Sequence, residues 1–134
     1  MAQLAHITTR NETAWEANLL EAELRERIGD RPGALAAWER LIWISPYDET
    51  VHRRLAELAE AAADHRRSVR ERRALIALNP ADRLEARFQL ARALSLAGDR
   101  AAARREILAV LEQAPGFEKA QLFLLELQRE GPKP

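Results

Sequence analysis

Apolar residues along this chain recur with a helical period, in blocks of about fourteen separated by short polar joints. The best-marked joint is Leu41-Ile42-Trp43-Ile44-Ser45-Pro46-Tyr47-Asp48. It recurs 34 residues later as Leu75-Ile76-Ala77-Leu78-Asn79-Pro80-Ala81-Asp82, and 35 further on, more loosely, as Val110-Leu111-Glu112-Gln113-Ala114-Pro115-Gly116-Phe117. Each copy reads as the last turn of an apolar helix closed by proline, and in the first two an aspartate opens the next helix. The five aspartates, Asp30, Asp48, Asp64, Asp82 and Asp99, stand 18, 16, 18 and 17 residues apart, each before a helical pattern. There a carboxylate accepts free backbone N–H groups and meets the positive end of the helix dipole, so all five are assigned to structure.

These signals predict helices over 14–28, 31–44, 49–62, 65–78, 83–97, 100–113 and 117–129. Thr13-Ala14-Trp15-Glu16 reads as a capping box opening the first. Gly29 and Gly98 each precede an aspartate and fit left-handed C-caps; unit two has Ala63-Asp64 instead. Residues 1–13 lack periodicity and read as an N-terminal tail, and 131–134, Gly-Pro-Lys-Pro, as a C-terminal one. Links of two to four residues require antiparallel neighbours. No strand pattern occurs, so the expected class is all-α.

A helix-turn-helix unit of 34 residues tiled three times resembles the tetratricopeptide repeat family. The units are about 15–48, 49–82 and 84–117, with helix 117–129 as a cap, within a repeat domain over 14–130. Ala22, Ala56 and Ala91 supply the small residue where each first helix meets its second. Ala34, Ser68 and Ala103 supply the one early in the second helix, Trp38 and Ile107 the large apolar residue four positions on, and Pro46, Pro80 and Pro115 the closing proline. The family's early aromatic is replaced by Asn18, His52 and Arg87, and its mid-helix tyrosine by Arg25, Ala59 and Leu94. Glu21 stands where Leu55 and Leu90 are apolar. Arg72 lies on the core stripe with Val69, Leu75 and Ile76, so it must snorkel or find a carboxylate, Glu57 or Glu60. The resemblance implies a right-handed α-solenoid of antiparallel helix pairs.

Composition narrows the chemistry. The 134 residues fit one domain, with 47% hydrophobic and 31% charged residues. The formal net charge is zero, which removes any global attraction to nucleic acid or a membrane. Residues 1–50 nevertheless carry nine acids against five arginines. Nineteen of the 21 basic residues are arginine, the exceptions being Lys119 and Lys133; with abundant alanine this points to a GC-rich bacterial coding sequence. Cysteine is absent, so disulfides and thiolate metal sites are excluded. The N-terminus has no basic n-region or apolar h-region, and no apolar run would span a bilayer. A full-length chain would therefore be cytoplasmic; a domain of a longer one could sit elsewhere.

No catalytic constellation is present. His6, His52 and His65 fall on the tail, a helix and a turn, without metal-ligand spacing. Phosphate loops, dinucleotide fingerprints and nucleophile elbows are missing, and Ser45, Ser68 and Ser95 occupy framework positions. The expectation is no enzyme, no cofactor and no metal. One run stands out: 65–73 packs Arg66, Arg67, Arg70, Arg72 and Arg73 into eight residues. Arg66, Arg70 and Arg73 share a helix face, and with Arg67 they form a candidate basic ridge for an anionic partner, which Arg104 and Arg105 could extend. No aromatic interleaves with it, so nucleic acid is disfavoured. Trp38 and Phe117 read as core. Trp43, between Ile42 and Ile44, is expected to be covered by the next unit or the tail; exposed, it would be an interface anchor.

The family resemblance implies a concave groove lined by the first helix of each pair. By position its residues are Glu16, Leu19, Glu23, Glu26 and Arg27; Arg53, Glu57 and Glu60; Glu85, Phe88, Arg92 and Ser95; and Lys119, Leu122 and Glu126. The chaperone-binding members of that family hold an acidic C-terminus with a clamp of Lys, Asn and Arg; here Leu19, Glu23 and Glu85 take clamp positions, which disfavours such peptides. The expected function is a protein-interaction module for a basic and apolar peptide or partner helix. The alternatives are a C-terminal docking domain of a larger bacterial enzyme or secretion component, and an anion binder acting through the ridge. The ends of a three-unit stack also leave self-association open.

Overall fold

The computed structural model describes residues 2–130, with side chains from Glu12 onward. They form seven helices: α1 (Ala2–Arg27), α2 (Arg31–Ile44), α3 (Glu49–Ala61), α4 (His65–Ala77), α5 (Arg83–Leu96), α6 (Arg100–Gln113) and α7 (Glu118–Arg129). Each packs on the next in sequence, most closely within the pairs α1–α2, α3–α4 and α5–α6. This is the expected all-α stack of helix pairs.

The N-terminus departs from expectation. The presumed tail over 1–13 is helical from Ala2, so Thr13 lies inside α1 and the capping box does not cap. The physical reason is the absence of a stop: neither Gly nor Pro occurs between Ala2 and Gly29, and a helix continues on propensity where no breaker intervenes. His6 lies on this stretch, and its side chain is outside the described residues, as is the C-terminal tail over 131–134.

The joints form as the local chemistry dictates. All five aspartates are N-caps, each carboxylate accepting from the N–H three residues on at 3.0–3.3 Å. Gly33 keeps room for the first cap: a Cβ there would meet the Asp30 carboxylate at 2.3 Å. Gly29, Ala63 and Gly98 all take positive φ, at 79°, 58° and 88°. Each closes a Schellman turn, with Asp30, Asp64 and Asp99 donating back to Arg25, Ala59 and Leu94 at 2.8–2.9 Å. Asn79 is also left-handed, at φ 56°, and Pro80 follows, having no N–H to complete such a turn. The third joint lacks an aspartate, and Phe117 caps α7 without a side-chain bond. Arg100, at the start of α6, instead donates to the Leu127 and Glu130 carbonyls that end α7.

The core divides in two. Ala22, Ala34, Ala37, Trp38, Leu41, Val51 and Leu55 pack the N-terminal half. The C-terminal half gathers around Val69, Phe88, Leu94, Ile107 and Val110, with Phe88 edge-on to Phe117 and Phe123 at 5.8 and 5.9 Å. The first cluster ends on α3 and the second begins on α4. The buried polar residues lie on those same helices: His52 on α3, and Ser68, Glu71 and Arg72 on α4. Alanine at 22, 56, 91, 34 and 103 is fully buried, as is Ser68. Small side chains there let the helix backbones approach closely.

Candidate functional site

The best-formed concavity on the first-helix side lies between α3 and α5, with α4 as its floor. It holds about 450 Å³ and is lined by Glu49, Arg53 and Glu57 of α3, Arg72 and Leu75 of α4, Pro80, Ala81 and Asp82 of the joint, and Glu85, Ala86 and Gln89 of α5. Glu49, Arg53 and Glu57 recur every four residues, so one face of α3 makes a wall. Glu85 and Gln89 do the same on α5, and Gln89 donates to Glu85 at 3.0 Å. Four carboxylates and two guanidinium groups line it, and Arg54 and Lys119, outside the lining, pair with Glu57 and Glu85.

Arg72 is central to it. The residue is buried, and its nearest carboxylate is Glu60 at 3.7 Å, one of the two anticipated. Burial pushes its guanidinium below the usual arginine range, Glu60 and Glu57 pull it back, and Arg92 and Arg53 add to the depression. Its Nε has no hydrogen-bond partner within the described protein. The sequence placed Arg72 on a core stripe; the fold brings it to the floor of a cleft.

The other expected groove residues separate. Glu26 accepts from Trp38 Nε1 at 3.0 Å and also pairs with Arg54, whose second arm reaches Glu57 at 2.6 Å. The Arg54 guanidinium lies over the Trp38 ring at 6.0 Å. Glu26 therefore ties α1, α2 and α3 together, and Glu57 braces Arg54 from within α3. Arg53 is bonded to Glu49 at 2.5 Å. Phe88 is not a groove residue: only 7% of it is exposed, because α6 and α7 close over it. Arg92 and Glu126 meet in a second cleft of about 400 Å³ between α5 and α7, with Ser95, Leu96, Phe123, Leu127 and Glu130. Leu122, 62% exposed, lines neither cleft. Glu16, Glu23 and Arg27 are exposed on α1, while Leu19 is half-buried against the N-terminal core. Lys119 spans to Glu85 at 3.7 Å, joining α7 to α5. Glu49, Ala86 and Gln89 went unnoticed in the sequence; the signal available was their spacing from Arg53 and Glu85.

On the second-helix side, Arg66, Arg70 and Arg73 are exposed, as the ridge requires. Arg67 turns away from it and pairs with Glu39 of α2. Burial, then Arg70, push its guanidinium below the usual range, and Glu71 opposes them. Glu21, the anomalous acid of unit one, bonds Arg40 at 3.2 Å and Arg25 at 3.7 Å. Trp43 is 87% exposed, so neither the next unit nor the N-terminal segment covers it among the described residues. His52 is buried between two acceptors, Glu71 Oε2 at 2.6 Å from Nδ1 and the Pro46 carbonyl at 2.7 Å from Nε2. Among the described residues no His/Asp/Glu group could hold a metal, and no helix is long and apolar enough to cross a membrane.

The sequence matches no family model and no curated protein. Solved structures match over most of its length. The TPR domain of P58(IPK) superposes with a TM-score of 0.79 over 93% of the chain at 14% identity, and the chain spans 34% of that structure. The first TPR of Spaghetti (RPAP3), bound to the HSP90 peptide SRMEEVD, gives 0.67 at 14% identity over 88% of this chain and 93% of the other. An O-GlcNAc transferase mutant from Thermobaculum terrenum gives 0.60 at 21% identity over 88% of this chain and 22% of the enzyme.

Proposed function

We propose that this chain, having the fold of tetratricopeptide repeat domains, is a non-enzymatic interaction module that takes an extended peptide or partner helix in the cleft between α3 and α5. One observation carries the reading: that cleft has four carboxylates against two guanidinium groups around an apolar base of Leu75, Pro80 and Ala86. Its ligand is accordingly basic with apolar side chains, since a like-charged ligand would be repelled at close range. The peptide bound to the first TPR of Spaghetti ends Glu-Glu-Val-Asp. Here Glu85 faces the cleft and Leu19 and Glu23 stand toward the N-terminus, so no cationic clamp meets such an end.

The test is peptide selection on the whole chain, followed by titration of the winners. Selected sequences are rich in Lys or Arg with an apolar neighbour, and Glu85→Lys weakens them about tenfold while leaving the helical circular dichroism unchanged. SRMEEVD shows no saturable binding. Tight binding of SRMEEVD, or winners indifferent to Glu85→Lys, refutes the reading. A second reading rests on length. The chain spans only about a fifth of the O-GlcNAc transferase it superposes on, so it would also serve as the docking domain of a larger enzyme, with the same cleft as working surface.

A further inference from the structure

The net charge of zero conceals a segregation. The second helices, α2, α4 and α6, hold ten arginines against four glutamates, whereas α1, α3, α5 and α7 hold ten basic residues against eleven acidic ones. On the second-helix side, α2 and α4 enclose a cleft of about 510 Å³ lined by Glu39, Ile42, Trp43, His52, Leu55, Arg67, Arg70, Glu71 and Ala74. Most of its polar groups bond one another. Glu39 pairs with Arg67, and Glu71 with His52 at 2.6 Å. Arg70 also bonds Glu71, at 3.4 Å, yet its side chain stays 68% exposed. What the cleft presents outward is therefore an apolar wall of Ile42, Trp43 and Ala74, with Leu55 buried behind it, beside the exposed Arg70 guanidinium. Arg66 and Arg73, one turn to either side of Arg70, are exposed and have no ion-pair partner among the described residues. Trp43 is 87% exposed, and Tyr47, four residues on, is 81% exposed. A tryptophan left in water at the rim of a cleft is the residue type that anchors protein interfaces.

We infer that this face is a second docking surface, for an acidic segment of a partner protein that seats one large apolar side chain against Trp43 and sets its carboxylates on Arg66, Arg70 and Arg73. The charge is opposite to that required by the α3–α5 cleft, so the two surfaces select different ligands and fail independently. A protein segment fits better than a nucleic acid. A polyanion draws its affinity from many phosphate contacts along a basic track, whereas three exposed arginines beside a cleft walled by Ile42 and Trp43 match a short acidic motif.

The experiment pans a random peptide library on the full chain at low ionic strength, and repeats it on Trp43→Ala and Arg70→Glu. Both positions are exposed, and unchanged circular dichroism and melting show that the variants fold. The expected result is a family of Asp/Glu-rich peptides with one Leu, Phe or Trp. They shift tryptophan emission on binding, weaken about tenfold with either substitution, and weaken further as salt is raised. Glu85→Lys leaves them unchanged. The proposal is overturned if no acidic family is enriched, or if it binds both variants as well as the parent. Tighter binding of oligo-dT than of the best peptide, lost with Arg70→Glu, overturns it in favour of nucleic acid.

Discussion

Replacing Ala63 with glycine should stabilise the protein, although it removes a side chain and adds no contact. Ala63 closes α3 with φ 58°, the same role Gly29 and Gly98 play at 79° and 88°. An L-residue in that region costs ~1–2 kcal/mol, from Cβ against the following carbonyl. Glycine escapes this cost but loses ~0.5–1 kcal/mol more backbone entropy on folding. The difference leaves Ala63→Gly about 0.5–1 kcal/mol more stable. The hydrogen bonds that define the turn, Ala63 N–H to Glu60 at 3.1 Å and Asp64 N–H to Ala59 at 2.8 Å, belong to the backbone and persist. Gly98→Ala should reverse the effect, and cleanly, because a Cβ there meets nothing within 4 Å; its cost is conformational alone. Urea unfolding followed by circular dichroism measures both. The midpoint should rise for Ala63→Gly and fall for Gly98→Ala at an unchanged m-value, with melting shifts of about 3 °C per kcal/mol. A neutral or destabilised Ala63→Gly, with Gly98→Ala equally neutral, would refute the assignment of both positions to the left-handed region.

Phe88→Ala, at the centre of three edge-on rings, should cost ~3–5 kcal/mol; a loss below about 1 kcal/mol in urea titration would return Phe88 to the surface. For His52 and Glu71 a double-mutant cycle with His52→Leu and Glu71→Leu should show coupling of about 2 kcal/mol, because either single change leaves a buried polar atom, Glu71 Oε2 or His52 Nδ1, without its bond. Strict additivity would remove the pair from the account. The Asp30 carboxyl is held below its ordinary 3.8, first by the Gly33 N–H and then by Arg25. A depressed folded pKa gives stability that is full above the unfolded value and lost as pH falls through the folded one. The urea-midpoint gap between the parent and Asp30→Asn should therefore be widest at neutral pH and close on acidification below 3.8; a gap constant with pH contradicts this.

The candidate site was only partly legible. Arg53, Glu57, Glu85 and Arg92 were placed on the right helices, because position along a helix is readable from spacing. Their engagement was not. Glu26 is consumed by Trp38, twelve residues away, and by Arg54, twenty-eight away, and no local pattern reports such partners. Phe88 on a first helix and Leu122 on the capping helix are both apolar, and the sequence assigned them alike. One is buried and the other exposed, because α6 and α7 close over Phe88.

By itself the sequence determined the joints. Asp30, Asp48, Asp64, Asp82 and Asp99 each act on an N–H three residues ahead, and Gly29, Gly98 and the prolines act on their own backbone torsions. Such interactions lie within one turn and need no neighbour to be specified. The first helix shows the same rule in reverse: with no breaker before Gly29 it ran on to Ala2, past a capping box that had nothing to cap. Tertiary structure alone decided what each helix face meets. Trp43 and Trp38 lie on the same helix five residues apart, one in solvent and one in the core, and His52 reaches Glu71 across nineteen residues. Burial is a property of stacked units: an apolar stripe requires cover, and only the packed neighbour determines which of its residues receive it.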